Sequence, residues 1–160
     1  MGGLFEWHSD KGWSDVPGSK EISGPNGVIA TADGSKLYVA AWSGKQIVEI
    51  DRTTGKLAAT DVDFFPDNLN WAANKATILA TGIGGSSIEV ALDCFSSSKV
   101  NCPKTGIRVD RFDPATKTRR TLVSVDGYGI FGAATGTIEV GKELWINSFR
   151  SDRIAILALP

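Results

Sequence analysis

The sequence has little of several residue types on which common sites depend. Among its 160 residues there are two cysteines, one methionine and one histidine, His8. A serine hydrolase triad places a histidine beside its serine, and the chain has no Gly-x-Ser-x-Gly segment for such a nucleophile. Two thiols without further ligands also make a poor zinc site. The composition therefore argues against triad hydrolysis and against structural zinc.

Long apolar runs and an excess of one charge are absent as well. No stretch approaches the roughly 20 apolar residues of a transmembrane helix. Seventeen basic against eighteen acidic residues give a net charge of -1, which offers no footprint for nucleic acid or an anionic membrane surface. Glycine is abundant, with 18 residues, and there are five tryptophans. Because both suit turns and pleated sheets better than helix interiors, we expect a soluble all-β protein without nucleic-acid or membrane partners.

Two pairs of segments repeat along the chain. Lys36-Leu-Tyr-Val-Ala-Ala-Trp42 matches Glu143-Leu-Trp-Ile-Asn-Ser-Phe149, and each is followed by a polar turn and a second apolar run. The strand-ending turn Asp51-Arg-Thr-Thr-Gly55 is echoed by Asp113-Pro-Ala-Thr116, where Asp and Thr side chains can close the turn through hydrogen bonds. These repeats predict a recurring four-strand unit.

The unit can be placed along the whole chain. Strands are predicted in the first complete copy near residues 27–31, 36–42, 46–51 and 56–61, and in the second near 69–73, 77–82, 107–113 and 119–125. Four-stranded repeats of about 40 to 50 residues are typical of β-propeller blades, and a β-sandwich would not repeat so evenly. We therefore predict one domain over residues 1–160, consisting of a blade remnant (1–22), a blade (23–62), a blade (63–126) with an insertion (84–104), and an incomplete blade (130–160).

About three blades are too few for a ring, since a closed propeller needs at least four. Such a chain leaves strand edges without partners, and exposed edges invite association. We therefore expect either a fragment or half of a six-bladed propeller that is completed by homodimerisation.

Three segments resemble a known superfamily: Ser23-Gly-Pro-Asn-Gly-Val28, Ala32-Asp-Gly-Ser-Lys-Leu-Tyr-Val39 and Phe65-Pro-Asp-Asn-Leu-Asn-Trp71. They resemble the C-terminal half of the six-bladed propellers of the senescence marker protein, gluconolactonase and paraoxonase superfamily, with its strictosidine-synthase-like relatives. The resemblance implies hydrolysis of small lactones or aryl esters with calcium, or another divalent metal. It also implies that Asn26, Asp67 and Asn68 are metal ligands, while the family's remaining ligands come from blades that this chain does not contain.

Physical reasoning on the same residues leaves alternatives open. Polar side chains at the starts of adjacent blades converge on the central channel, where calcium could take their oxygens. However, Asn26-Gly27 is also a turn dipeptide, and Asp67 could cap a turn after Pro66. Thr135, at the equivalent position of the third blade, fits packing or turn chemistry better than metal binding. Asp67 is also the local candidate for a catalytic base, although we favour the ligand role.

Two functions therefore remain in view. The first is a calcium-dependent lactonase or arylesterase whose site needs a second half, and the alternative is a non-catalytic half-propeller that serves as a binding or structural module, or an inactive fragment. Within a predicted surface loop, Cys94 and Cys102 could form a disulfide, which would suit a periplasmic or secreted protein. The five tryptophans are expected to pack in the core.

Overall fold

The structure, a computed structural model, describes residues 2–95, 102, 104–126 and 130–159. Its thirteen β-strands are β1 (Phe5–His8), β2 (Gly12–Asp15), β3 (Pro25–Ala30), β4 (Lys36–Ala41), β5 (Gln46–Asp51), β6 (Leu57–Asp61), β7 (Phe65–Trp71), β8 (Ile78–Gly84), β9 (Gly106–Asp113), β10 (Thr118–Val125), β11 (Ala134–Val140), β12 (Glu143–Ser148) and β13 (Ala155–Ala158). A 3₁₀ turn spans Ser19–Glu21, and the helix α1 (Ser87–Val90) continues into a π-helical turn (Ala91–Phe95).

The strands form antiparallel sheets in chain order. Two sheets have four strands, β3-β4-β5-β6 and β7-β8-β9-β10; a third has three, β11-β12-β13; and β1 pairs with β2. We call the two four-stranded sheets the first and second blades, and the three-stranded sheet the third. This confirms the predicted all-β architecture of propeller blades, which do not close into a ring.

Each complete blade is buried on both faces, because consecutive residues of a strand point to opposite sides. In β4, Tyr38 and Ala40 pack against the second blade, whereas Val39 and Ala41 pack toward Val16 on the N-terminal side. The second and third blades share another apolar core, formed mainly by Leu79, Val109, Val123, Phe131, Leu144 and Ile146. The blades therefore stack face to face.

The first strands of neighbouring blades lie side by side. Trp71 of β7 donates its indole N–H to the carbonyl oxygen of Ala30 in β3, at 2.9 Å. Asn70 of β7 donates to the carbonyl oxygen of Thr137 in β11, at 3.0 Å. These contacts align β3, β7 and β11, which we call the inner strands, so that corresponding residues lie close together.

Most predicted strands agree with the structure to within about two residues, but β7 begins four residues earlier than expected. Pro66 suggested a turn at this point; instead it pairs with Gly82 beside an irregularity in the strand pairing, where a proline is tolerated. The consequence is that Asp67 and Asn68 belong to a strand.

The two ends of the stack carry exposed apolar side chains. Trp7 and Trp13 are partners across the β1–β2 pair and are 58% and 73% exposed. The expectation that all five tryptophans pack in the core is therefore wrong for these two, because no further sheet of the described residues covers that hairpin. At the other end, the third blade exposes Ile138, Val140 and Ile156.

None of the helices in the described ranges has the length and apolar composition needed to cross a membrane.

Candidate functional site

Each inner strand carries a β-bulge near its start. The pairing of β3 with β4 is irregular at Asn26 and Gly27. The pairing of β7 with β8 is irregular at Asp67, and that of β11 with β12 at Thr135. A bulge bends its strand and redirects the side chain of the extra residue. The polar residues at the start of each unit therefore occupy equivalent bulged positions.

Gly27 allows two of these bulges to approach each other. A Cβ atom on Gly27 would lie 2.6 Å from the Cα of Asn68 and 2.6 Å from the carbonyl oxygen of Asp67. Any larger residue would push β3 away from β7. The glycine is thus required for close approach, and the alternative of a turn at Asn26-Gly27 is wrong because both residues lie within β3.

The three predicted ligands meet at this contact. The Asn26 side chain lies beside the Asp67 carboxylate and acts to lower the pKa of that group, and the Asn68 amide nitrogen donates to Asp67 Oδ1 at 2.8 Å. Asp67 therefore does not cap a turn after Pro66. A half-turn of either amide would present its oxygen in place of its nitrogen, so one carboxylate and two amide oxygens can face a common point.

Burial has a marked effect on Asp67. It raises the pKa of this carboxyl from 3.8 to about 6, against the opposing effect of the neighbouring Asn26 side chain. Asp67 takes part in none of the ion pairs formed between described residues. Burial of a charged carboxylate without a cationic partner costs free energy, and a bound cation would offset that cost. The residues present therefore fit a calcium ion in the chemistry of their donors.

The carboxylate opens onto a cavity of about 340 Å³. The described lining combines two polar residues with four apolar or aromatic ones: Asn26, Asp67, Trp42, Ile83, Phe95 and Phe149. A larger depression, of about 430 Å³, lies at the opposite end of the inner strands beside Trp71 and Lys75, and its described lining has no carboxylate. The smaller cavity is therefore the candidate site.

The insertion contributes to the wall of this cavity through a short helical segment. Ser86 Oγ accepts a hydrogen bond from the backbone N–H of Glu89, and the Glu89 carboxylate accepts one from the N–H of Ser86. This reciprocal arrangement is a capping box, which starts a helix. Residues 87–95 of the predicted insertion are thus helical, and the residues that predicted a surface loop, Ser96-Ser-Ser-Lys99 and Pro103, fall outside this helical part. Residues 96–101 and 103 lie outside the described residues.

Buried contacts hold the helical segment in place. Val90 and Cys94 pack in an apolar cluster with Phe65 and Ile83. A disulfide joins Cys94 to Cys102, as the sequence suggested. The segment is therefore anchored by the apolar cluster and by the disulfide, and it brings Phe95 to the same cavity as Asp67.

Thr135 does not share the site. Its hydroxyl donates to Asn147 Oδ1 at 3.0 Å, and it is absent from the described lining of the cavity. This agrees with a packing or turn role.

The sequence reasoning missed the aromatic side of the cavity, formed by Trp42, Phe95 and Phe149. Trp42 was expected only as core packing. A usable signal was the segment Ser86-Ser-Ile-Glu89, since Ser followed three residues later by Glu marks a helix start.

Comparison with known proteins identifies relatives in structure alone. No protein-family model matches the chain, and no curated protein does either. A solved structure described as a candidate gluconolactonase superposes with a TM-score of 0.61 at 12% identity, over 98% of this chain and 56% of that one. An oligogalacturonate lyase from Vibrio parahaemolyticus gives a TM-score of 0.56 at 9% identity, over 96% and 45%.

A third structure, from Bacteroides fragilis and described as a candidate 6-phosphogluconolactonase, gives a TM-score of 0.52 at 15% identity, over 86% of this chain and 35% of that one. The chain thus spans between 35% and 56% of these structures. At such low identity the likeness concerns the fold, and the chain is an assembly of β-propeller blades.

Proposed function

We propose that the chain contributes to a calcium-dependent hydrolase of small lactones or esters, with Asn26, Asp67 and Asn68 as metal ligands. The observation that carries the proposal is the half-buried Asp67 carboxylate, which meets two asparagine side chains where the bulges of β3 and β7 approach. Two of the similar structures are described as candidate lactonases, which supports this class of reaction.

A calcium ion bound there would supply Lewis-acid chemistry, polarising the substrate carbonyl and stabilising the oxyanion. The chain's own residues would orient the reacting group. The bulges place Asn26 and Asp67 on neighbouring inner strands, and the apolar residues in the described lining of the cavity would shield one side of a bound substrate from water.

Asp67 could serve in either of two roles. With a pKa of about 6, its carboxylate could accept a proton from water near neutral pH. The same oxygens cannot bind a cation strongly and act as an effective base, because the cation lowers the pKa. We assign Asp67 to the ligand role, since both asparagine amides converge on it.

The site as formed by this chain needs completion. Calcium takes about six to eight oxygen ligands, and the described side chains offer one carboxylate and two amides. We propose that a second copy, related by a twofold axis, supplies the same three residues. Calcium would then lie between the two halves.

Calcium binding and catalysis can be tested together. We expect Ca²⁺ to raise the melting temperature, and phenyl acetate or D-glucono-1,5-lactone to be hydrolysed until a chelator is added. Asn68→Ala should weaken both effects and lower the rate of hydrolysis by about ten-fold. Asn70→Ala is the matched control: it removes the same side chain from the same strand, but Asn70 contacts Thr137 instead of Asp67.

Sedimentation with calcium and then with chelator tests completion of the site. The chain has a mass of 17.0 kDa, and the proposal expects a dimer that calcium stabilises. A monomer that neither binds calcium nor hydrolyses these compounds would overturn the proposal. Such a result would favour a non-catalytic binding or structural module.

A further inference from the structure

The insertion of the second blade brings three metal-binding side chains together. Asp93 and Cys94 lie in the π-helical turn, a rare conformation that is frequent at functional sites, and Cys102 is joined to Cys94. One carboxylate oxygen of Asp93 and the two sulfurs all lie within 4.8 Å of one another. The sequence argued against zinc because two thiols lack further ligands, and the fold supplies a third ligand in Asp93.

All three side chains are buried and held by further contacts. Asp93 is 8% exposed, Cys94 1% and Cys102 0%. The backbone N–H of Lys104 donates to Asp93 Oδ2 at 2.8 Å, and the Thr105 hydroxyl makes a hydrogen-bond contact of 3.8 Å with Cys94 Sγ. Outer contacts of this kind orient the ligands of a metal. The cluster is therefore largely oriented before any ion binds.

A small depression leads from solvent to this cluster. It has a volume of about 130 Å³, and its described lining consists of Glu89, Leu92, Asp93 and Lys104. Asp93 belongs both to the depression and to the cluster, so an ion that enters there meets its carboxylate. Two carboxylates against one lysine favour a cation at this entrance. The cluster thus has the entry path that a metal site requires.

We propose that Asp93, Cys94 and Cys102 form a zinc site when the two cysteines are reduced, so that zinc and the disulfide are alternative cross-links of the insertion. Zinc binds thiolate sulfur at about 2.3 Å and carboxylate oxygen at about 2.0 to 2.2 Å, and a tetrahedral ion holds two thiolates roughly 3.8 Å apart. The Cα atoms of the two cysteines are 4.9 Å apart, and rotation of their side chains can provide this separation. Water would occupy the fourth position.

Passage from the disulfide to the zinc site requires a two-electron reductant. A dithiol breaks the bond between Cys94 and Cys102 by exchange, forms its own disulfide, and leaves a proton on each cysteine sulfur. Zinc then displaces both protons to solvent as two Zn–S bonds and one Zn–O bond form. Because both sulfurs are buried in the folded, oxidised protein, exchange should be slow there. The redox conditions during folding therefore decide which cross-link forms.

Metal binding can be measured on the full chain, produced and kept under a phosphine reductant, once a thiol assay in denaturant has found two free thiols. Titration with Zn²⁺ against a chromogenic chelator measures the affinity. Co²⁺ in place of zinc should give a cobalt–thiolate charge-transfer absorption, which oxygen ligands alone do not produce. The oxidised protein should lack this absorption. Asp67→Asn should retain it, because the proposed calcium ligands lie outside the cluster.

Asp93→Asn tests the third ligand. Its amide oxygen can still accept the hydrogen bond from the Lys104 N–H, but the negative charge is lost, and zinc binding should weaken by at least about ten-fold. Glu89→Gln is the matched control. It removes a carboxylate from the same depression while glutamine preserves the capping box, and it should leave zinc affinity unchanged. Cys94→Ser combined with Cys102→Ser should abolish the cobalt–thiolate absorption.

Zinc should also replace the disulfide as a structural restraint. In the reduced protein, amide hydrogen exchange of residues 87–95 should slow when Zn²⁺ is added, and Asp93→Asn should lose this effect. A reduced chain that folds only when zinc is present would support the inference as well. Absence of the cobalt–thiolate absorption from the reduced protein, or equal zinc affinity of the wild type and Asp93→Asn, would overturn it.

Discussion

The two complete blades have the same four-strand order and the same bulge in the first strand, but they differ in the connection between the second and third strands. In the first blade residues 42–45 join β4 to β5, and in the second residues 85–105 join β8 to β9. Both connections deliver an aromatic side chain to one cavity, Trp42 from the short one and Phe95 from the long one. The repeated strands therefore provide the scaffold, while the unequal connections shape the pocket.

The blades also differ in what their bulges present. The first offers an amide, Asn26, and the second offers a carboxylate, Asp67, followed by the amide of Asn68. In the proposed metal site the second blade consequently supplies the negative charge. Changes that affect one blade more than the other can test this division.

The largest expected effect comes from comparing Asp67→Ala with Asn26→Ala. Removal of the carboxylate should abolish stabilisation by calcium and reduce ester hydrolysis by at least about 100-fold, since the charge that holds the ion is lost. Removal of the Asn26 amide should reduce hydrolysis by about ten-fold. Calorimetric titration with Ca²⁺ and initial rates would measure both. Equal losses would contradict the assignment of the charge to the second blade.

Gly27→Ala should disrupt the close contact between the first and second blades. The new Cβ would meet the backbone of Asp67 and Asn68, and overpacking of this kind destabilises by about 2 kcal/mol. Urea denaturation would measure the free energy of unfolding. Gly44→Ala, in the connection of the first blade, is the control, because its Cβ would have no neighbour closer than 3.4 Å; it should change stability by less than about 0.5 kcal/mol. A similar loss in both variants would argue against close approach at Gly27.

Most of the scaffold could be predicted from the sequence because the blades repeat. The strand pattern of Lys36–Ala41 recurs at Glu143–Ser148. The alternation of residues along a strand indicates which face of the sheet is buried. The start of β7 was misplaced, because Pro66 is ordinarily a turn residue and its tolerance here depends on the bulge. Local sequence does not specify a bulge, since it arises from the pairing of two strands.

The polar half of the site was predicted, and the aromatic half was not. Asn26, Asp67 and Asn68 occur in inner strands at repeated positions, so their proximity follows from the blade repeat. Phe95 lies in an insertion that has no counterpart in the first blade, and Phe149 lies outside any strand. Their contact depends on how the helical segment packs on Phe65 and Ile83, which is a tertiary property.

Removal of the disulfide tests the independence of the insertion. Cys94→Ala combined with Cys102→Ala opens a short loop, since the two cysteines are eight residues apart, and the expected loss is about 2 kcal/mol. Amide hydrogen exchange should increase in residues 87–95 and stay unchanged in residues 42–45. Faster exchange in both connections would show that the insertion is not independent, because loss of its disulfide would then loosen the first blade as well.

The smallest expected effect is a gain of stability in the second blade. Burial raises the pKa of Asp67 from 3.8 to about 6, so the folded state binds a proton more tightly than the unfolded state does. The stabilising contribution is complete below about pH 3.8 and is lost as the pH rises through 6. With chelator present, Asp67→Asn should therefore be more stable than the wild type at pH 8, by about 1 kcal/mol after allowing for partial exposure.

The advantage of Asp67→Asn should disappear near pH 4, where the wild-type carboxyl is largely protonated in the folded state, and it should reverse when calcium is added at pH 8. Denaturation at the two pH values, with and without Ca²⁺, measures all of these effects. Asn68→Asp is the complementary variant, because it adds a second carboxylate beside Asp67 and should destabilise the protein in chelator. If Asp67→Asn instead lowers stability at pH 8 in chelator, then Asp67 stabilises the fold through its hydrogen bonds. In that case the charged carboxylate does not destabilise the folded state, and a cation is not needed to offset its burial.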